Sequence, residues 1–108
     1  PGQPRHYFEF EVAPTGERLD LELGGATKDL EWDSGFARAV RVDRKRHVWT
    51  VEMRIPLAVL SVTAPQAGTR WRLNFYRHDI AHKVFLAWSP TATGTAHTPE
   101  RFGWLQFE

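Results

Sequence analysis

Five tryptophans stand in this chain of 108 residues, and two of them, Trp88 and Trp104, bracket a run rich in Thr, Ser, Gly and Pro that also holds His97 and the pair Glu100–Arg101. Trp88 falls at the end of an alternating apolar segment, just before Ser89-Pro90, and loops beside rigid strands are where binding side chains concentrate. An indole there can stack on a flat ligand or pack against the loop. Trp32, in KDLEWDSG, has few apolar neighbours in sequence and is a second candidate for ligand contact or for packing on a neighbouring loop. Three carboxylates, Asp29, Glu31 and Asp33, alternate around Leu30 and Trp32. A hard cation such as calcium wants six to eight oxygens, and the rest of a calcium loop is missing, so these acids read first as a solvated loop. His78 and His82 are spaced i, i+4 but flank a turn, and no helix holds them together as a zinc pair.

The chain offers no nucleophile elbow, no Gly-rich phosphate loop and no dinucleotide fingerprint. Glycoside hydrolysis needs two carboxylates held across a cleft. Glu9, Glu11, Glu52 and Asp79 instead read as outward acids on strands, the ordinary solubility pattern, and one that meets an outward arginine reads as a cross-strand ion pair. The residues therefore point to a non-catalytic domain.

The elements that must position these side chains are strands. Period-2 alternation dominates. In YFEFEV, Phe8, Phe10 and Val12 share a face; in RLDLEL, Leu19, Leu21 and Leu23 share one; APTGE between them is a turn. ARAVRV and HVWTVEMRI follow, the second with Trp49, Val51, Met53 and Ile55 inward, and Arg44-Lys45-Arg46 between them reads as a solvated hairpin turn. Pro56 is suited to open a single helical turn, since a first-turn proline gives up no needed N–H. RWRLNFYRH reads as one strand with Trp71, Leu73 and Phe75 inward, and KVFLAW and RFGWLQF complete the set. In the last, Leu105 and Phe107 fall on one face and Trp104 on the other. About seven strands at regular spacing predict an all-β fold, an antiparallel β-sandwich of jelly-roll or immunoglobulin-like type, in a single domain over residues 1–108. The first segment is already a full strand at its start, which suggests that N-terminal strands belong to the same sandwich.

Composition is that of a globular domain, with 42% hydrophobic and 25% charged residues. The formal charge of +1 gives no field that would favour nucleic acid or an anionic membrane. No apolar run approaches the roughly 20 residues of a membrane-spanning helix. Cysteine is absent, which removes disulfides, thiolate metal sites and cysteine nucleophiles.

Four blocks in order, HYFEFEVAPTGERLDLEL, WTVEMRIPLAVL, WRLNFYRHD and AWSP…HTPERFGWLQF, resemble the carbohydrate-binding modules of family 9 and the related DOMON-type sandwiches, over Tyr7 to Phe107. The resemblance implies a module that binds a plant-type polysaccharide such as xylan or glucan without cleaving it. It implies attachment to a secreted or periplasmic glycoside hydrolase, and leaves a structural calcium open. In such modules two tryptophans sandwich a sugar ring. Trp88 matches the later one; the earlier comes from a segment ahead of YFEFEV, so Trp32 is the candidate replacement. The WRLNFYR block carries over Asn74 and Arg77 as polar contacts, each able to donate twice to vicinal hydroxyls, with Glu9 as an acceptor. Two rival readings remain: a structural or interaction domain of the same fold without a sugar site, and a haem-binding redox sandwich. The latter would need Met53, whose phase points inward, and a histidine as axial ligands.

Overall fold

A computed structural model describes residues 6–24, 27–60 and 63–108. The chain is all-β. Its nine described strands are β1 (His6–Val12), β2 (Arg18–Gly24), β3 (Thr27–Asp29), β4 (Ala37–Asp43), β5 (Val48–Arg54), β6 (Arg70–Leu73), β7 (Tyr76–Asp79), β8 (Val84–Ala87) and β9 (Gly103–Gln106). Every strand pairing is antiparallel, in four small sheets ordered β1-β2-β3, β4-β5, β6-β9 and β7-β8. The chain's contacts divide its described residues into two compact units, one running from His6 to Ala64 and the other from Pro65 to Glu108. The single turn expected after Pro56 is present as a 3-10 turn, Leu57–Leu60.

The strand count exceeds the seven of the sequence reading for two reasons. A short β3 adds to the edge of β2, and the RWRLNFYRH segment breaks at Asn74–Phe75 into β6 and β7. The break overturns the inward phase expected of Phe75, which is 59% exposed. Met53 also departs from its expected inward phase, at 41% exposed.

In the first unit, alternation alone would suggest a clean apolar face and a clean acidic one. The register gives something else. Phe8 lies opposite Glu22, Phe10 opposite Asp20 and Val12 opposite Arg18, so the phenylalanines share their face with charged groups. The segment after β3 folds over that mixed face. Trp32 packs on Phe8 (centroids 5.0 Å) and Phe10 (5.9 Å), and Phe36 packs edge-on against Phe10 (5.4 Å). Such aromatic pairs are each worth about 0.5–1.5 kcal/mol beyond their buried area. The charged groups clamp the same segment. The Asp20 carboxylate accepts from Ser34 N at 2.7 Å and Ser34 Oγ at 2.6 Å. Arg18 donates to Phe36 O at 2.7 Å and to Asp33 Oδ1 at 3.0 Å. Leu21 and Phe36, each 1% exposed, are the fully buried apolar side chains among the described residues.

Two hairpins turn by the same device. Asp43 Oδ1 accepts from Lys45 N and Arg46 N (3.0 and 3.1 Å), and Asp79 Oδ1 accepts from His82 N (3.1 Å). Each carboxylate thus mimics a backbone turn. Each hairpin then ends on a left-handed residue, His47 or Lys83, both at φ 53°. The Arg44-Lys45-Arg46 run is therefore a hairpin turn, as its sequence suggests.

Burial pushes the Asp20 carboxyl up, but the two Ser34 hydrogen bonds and the Arg18 guanidinium outweigh this and hold it below the ordinary carboxylate value. Its contribution to stability is therefore complete above the unfolded-state value near 4 and is lost as pH falls through the depressed native value. Asp20→Ala is expected to cost about 1.5–3 kcal/mol, the worth of hydrogen bonds to a charged group. A thermal melt at neutral pH checks this, and the gap between variant and parent should close on acidification below about pH 4.

Candidate functional site

The second unit is organised by a carboxamide. Asn74 Nδ2 donates to the Ser89 carbonyl (2.8 Å) and the Tyr76 hydroxyl (2.8 Å), while Oδ1 accepts from Ser89 N (2.8 Å) and Phe75 N (3.0 Å). The Tyr76 hydroxyl in turn donates to Ala96 O at 3.0 Å. These bonds fix the break between β6 and β7 and the start of the loop after β8. Thr91 Oγ1 donating to Thr95 O, and the Thr93–Thr98 hydroxyl pair, tie the loop to itself. The Thr-rich composition of this run is thus a set of internal turn bonds.

Trp88 sits where β8 enters that loop. Its backbone N–H donates to Phe75 O at 2.9 Å, which extends the β7–β8 ladder one rung beyond Tyr76 and Ala87. By strand alternation, Phe75, Arg77, Leu86 and Trp88 then share one face, and Tyr76, His78 and Phe85 share the other. The ring contacts agree: Phe75 meets Trp88 edge-on at 6.0 Å, and Phe85 contacts both Tyr76 and His78. One side of the Trp88 ring covers Gly103 of β9. A methyl group at Gly103 would lie 2.7 Å from Trp88 Cη2 and closer still to Cζ3, so glycine is needed there for close approach. Even so seated, Trp88 is 56% exposed. Its neighbour Arg77 reaches Asp79 at 3.4 Å. The side-chain and backbone hydrogen bonds from His82 outweigh burial and, with Arg77, hold the Asp79 carboxyl below its ordinary value.

The structure thus brings Trp88 and Arg77 onto one exposed face and adds Phe75, which the sequence reading had turned inward. Asn74 is adjacent, but all four of its hydrogen-bonding positions are engaged internally, so it acts as a clamp and has no donor left for a ligand. Trp32 and Glu9 belong to the first unit. Trp32 packs on Phe8 and Phe10, and Glu9 is half-buried on β1 opposite Leu21. Among the described residues of this unit, the ring that contacts Trp88 is Phe75. A groove of about 350 Å³ in the same unit is lined by Phe85, Ala87, Pro90 and Thr91 among others, with neither Asn74 nor Arg77. Among the described residues no three His, Asp or Glu side chains gather as metal ligands. Asp29 caps the backbone of Glu31 and Trp32, and Asp33 pairs with Arg18. Among the same residues no helix is long and apolar enough to cross a membrane.

No protein-family profile matches the chain, and no solved structure matches it. The chain is similar to a protein of Arthroderma benhamiae described as "Extracellular protein", with 31% identity over 122 aligned positions covering 96% of this chain. The chain spans about half, 54%, of that relative's length.

Two substitutions separate clamp from platform. Asn74→Ala strands backbone groups at Phe75 and Ser89 and is expected to cost about 1–3 kcal/mol, read as a lowered unfolding midpoint. Gly103→Ala must displace the Trp88 ring; overpacking of this kind costs about 1–3 kcal/mol. It should also alter the near-ultraviolet circular dichroism of the folded protein.

Proposed function

We propose that this chain is a non-catalytic, sugar-binding β domain of a secreted protein, with Trp88 as its platform. The observation that supports this reading is the exposure of an immobilised indole, at 56%, next to an equally exposed Phe75 and the Arg77–Asp79 pair. A pyranose has one face of C–H groups and a rim of hydroxyls. The indole covers the apolar face at little entropic cost, because Gly103 and Phe75 already hold the ring. Arg77 donates to vicinal hydroxyls and Asp79 accepts. Asn74 serves this platform as an internal clamp. The resemblance to polysaccharide-binding modules favours a xylan- or glucan-type chain and a role as accessory to a glycoside hydrolase. The similarity to a protein described as extracellular supports secretion.

A second reading, a structural or interaction domain of the same fold, draws on the exposed apolar side chains that share the Trp88 face, Phe75 and Leu86. Contiguous exposed apolar area marks packing surfaces as well as ligand sites. The two readings differ in what the Trp88 face prefers, a saccharide or another protein.

One sugar ring of about a dozen heavy atoms, at roughly 0.3 kcal/mol per atom, supports millimolar to high-micromolar binding. Titration with xylo- and cello-oligosaccharides is therefore expected to shift the Trp88 indole resonance with such a constant. Phe75→Ala should weaken binding about tenfold, the equivalent of about 1.4 kcal/mol. An unmoved Trp88 resonance at tens of millimolar sugar would leave the structural reading in place.

A further inference from the structure

β6 and β9 form a two-stranded ribbon whose two faces differ. Gly103 and Leu105 point to the side that Trp88 covers, so Trp104 points to the other. The register places Arg72 opposite Trp104, and Arg70 one rung away opposite Gln106. Both guanidinium carbons lie over the Trp104 ring, Arg70 Cζ at 4.5 Å and Arg72 Cζ at 4.1 Å from the centroid. Trp104 is still 49% exposed. We propose that this Arg70–Trp104–Arg72 face binds the oxyanions of an acidic polysaccharide, the carboxylates of uronic acids or the sulfates of sulfate esters.

Three observations carry the proposal. First, stacking on an indole desolvates the face of a guanidinium and leaves its N–H edge available for the bidentate contact that carboxylates and sulfates accept. Second, the two like charges against one ring have no counter-charge: among the described residues neither arginine has a carboxylate within 4.0 Å. Third, the pair is held in place and is unequal. Arg72 spends Nη1 on the carbonyls of Phe102 (2.9 Å) and Glu100 (3.3 Å). The Arg70 side chain makes no hydrogen bond among the described residues, which leaves its fork open toward them. The surrounding sequence agrees in sign, with five Arg or Lys against three Asp or Glu between residues 65 and 108.

The number of charges selects the class of ligand. Nucleic-acid binding draws on the neutralisation of many successive phosphates, and two guanidiniums on a nearly neutral chain do not provide that. They do suit single oxyanions spaced along a sugar polymer, with the exposed part of the indole meeting the sugar ring between them.

Affinity electrophoresis of the full chain tests this, in gels containing polygalacturonate, dextran sulfate or uncharged dextran. Retardation by an acidic polymer and not by dextran is expected, weakening as salt rises. Polygalacturonate alone would assign carboxylates, dextran sulfate alone sulfate esters, and both the shared oxyanion. Arg70→Gln, which keeps the stem over the indole, should weaken binding about tenfold or more; Arg70→Lys should fall between, since it keeps charge and loses the fork. Circular dichroism confirms that each variant is folded. Equal retardation of Arg70→Gln and parent, no retardation by either acidic polymer, or equal competition from duplex DNA overturns the proposal. It fails separately from the Trp88 reading, which uncharged oligosaccharides probe.

Discussion

The Asn74 side chain has two donors and two acceptor positions, and all four are used, two on its chain neighbours Phe75 and Tyr76 and two on the backbone of Ser89. Through them it ends one strand, begins the next and receives both backbone groups of Ser89. Trp88 is the residue immediately before Ser89, so its backbone is fixed from one side by this carboxamide and from the other by the Phe75 carbonyl. The indole then needs only a place to lie, and Gly103 supplies it by lacking a Cβ. The exposed platform is therefore held by groups that are half-buried and spend their hydrogen bonds on one another. A polar side chain that looked suited to a ligand serves the aromatic one instead.

The first unit meets a different constraint. Its hairpin register mixes phenylalanines and charged residues on one face, and a buried carboxylate is costly unless fully hydrogen-bonded. The segment over that face resolves both needs together, with Trp32 and Phe36 against the rings and Ser34 and Phe36 O against the charges. Asp20 and Arg18 hold the covering segment in one position, while the aromatic contacts supply much of the burial. A wholly apolar face could have been covered in many ways; these two charges select one.

Strand identity was legible in the sequence because alternation is a local property. YFEFEV, RLDLEL, ARAVRV and HVWTVEMRI all became strands, and Pro56 opened its turn. Register was not legible, because it depends on which residues meet across strands; the pairing of Phe10 with Asp20 leaves no mark in either segment alone. Phase within RWRLNFYRH failed for a related reason. Alternation was carried through Asn74, whose side chain competes with the sheet for backbone partners and breaks it. At the site, Trp88 could be picked out from its place near a strand end and Arg77 was pointed to by the family resemblance, whereas Phe75 was hidden by that phase error. Trp104 had left a trace, since it falls out of phase with Leu105, but its arginine neighbours come from another strand.

Three of the four sheets join segments adjacent in sequence, and the fourth, β6–β9, closes around everything from Asn74 to Phe102. Hairpins close in microseconds, while distant pairings wait on the entropy of a longer loop. Gly103 lies on β9, so the bed of the Trp88 ring exists only once that ribbon has paired. The aromatic surface thus needs a long-range strand pairing as well as a local hairpin.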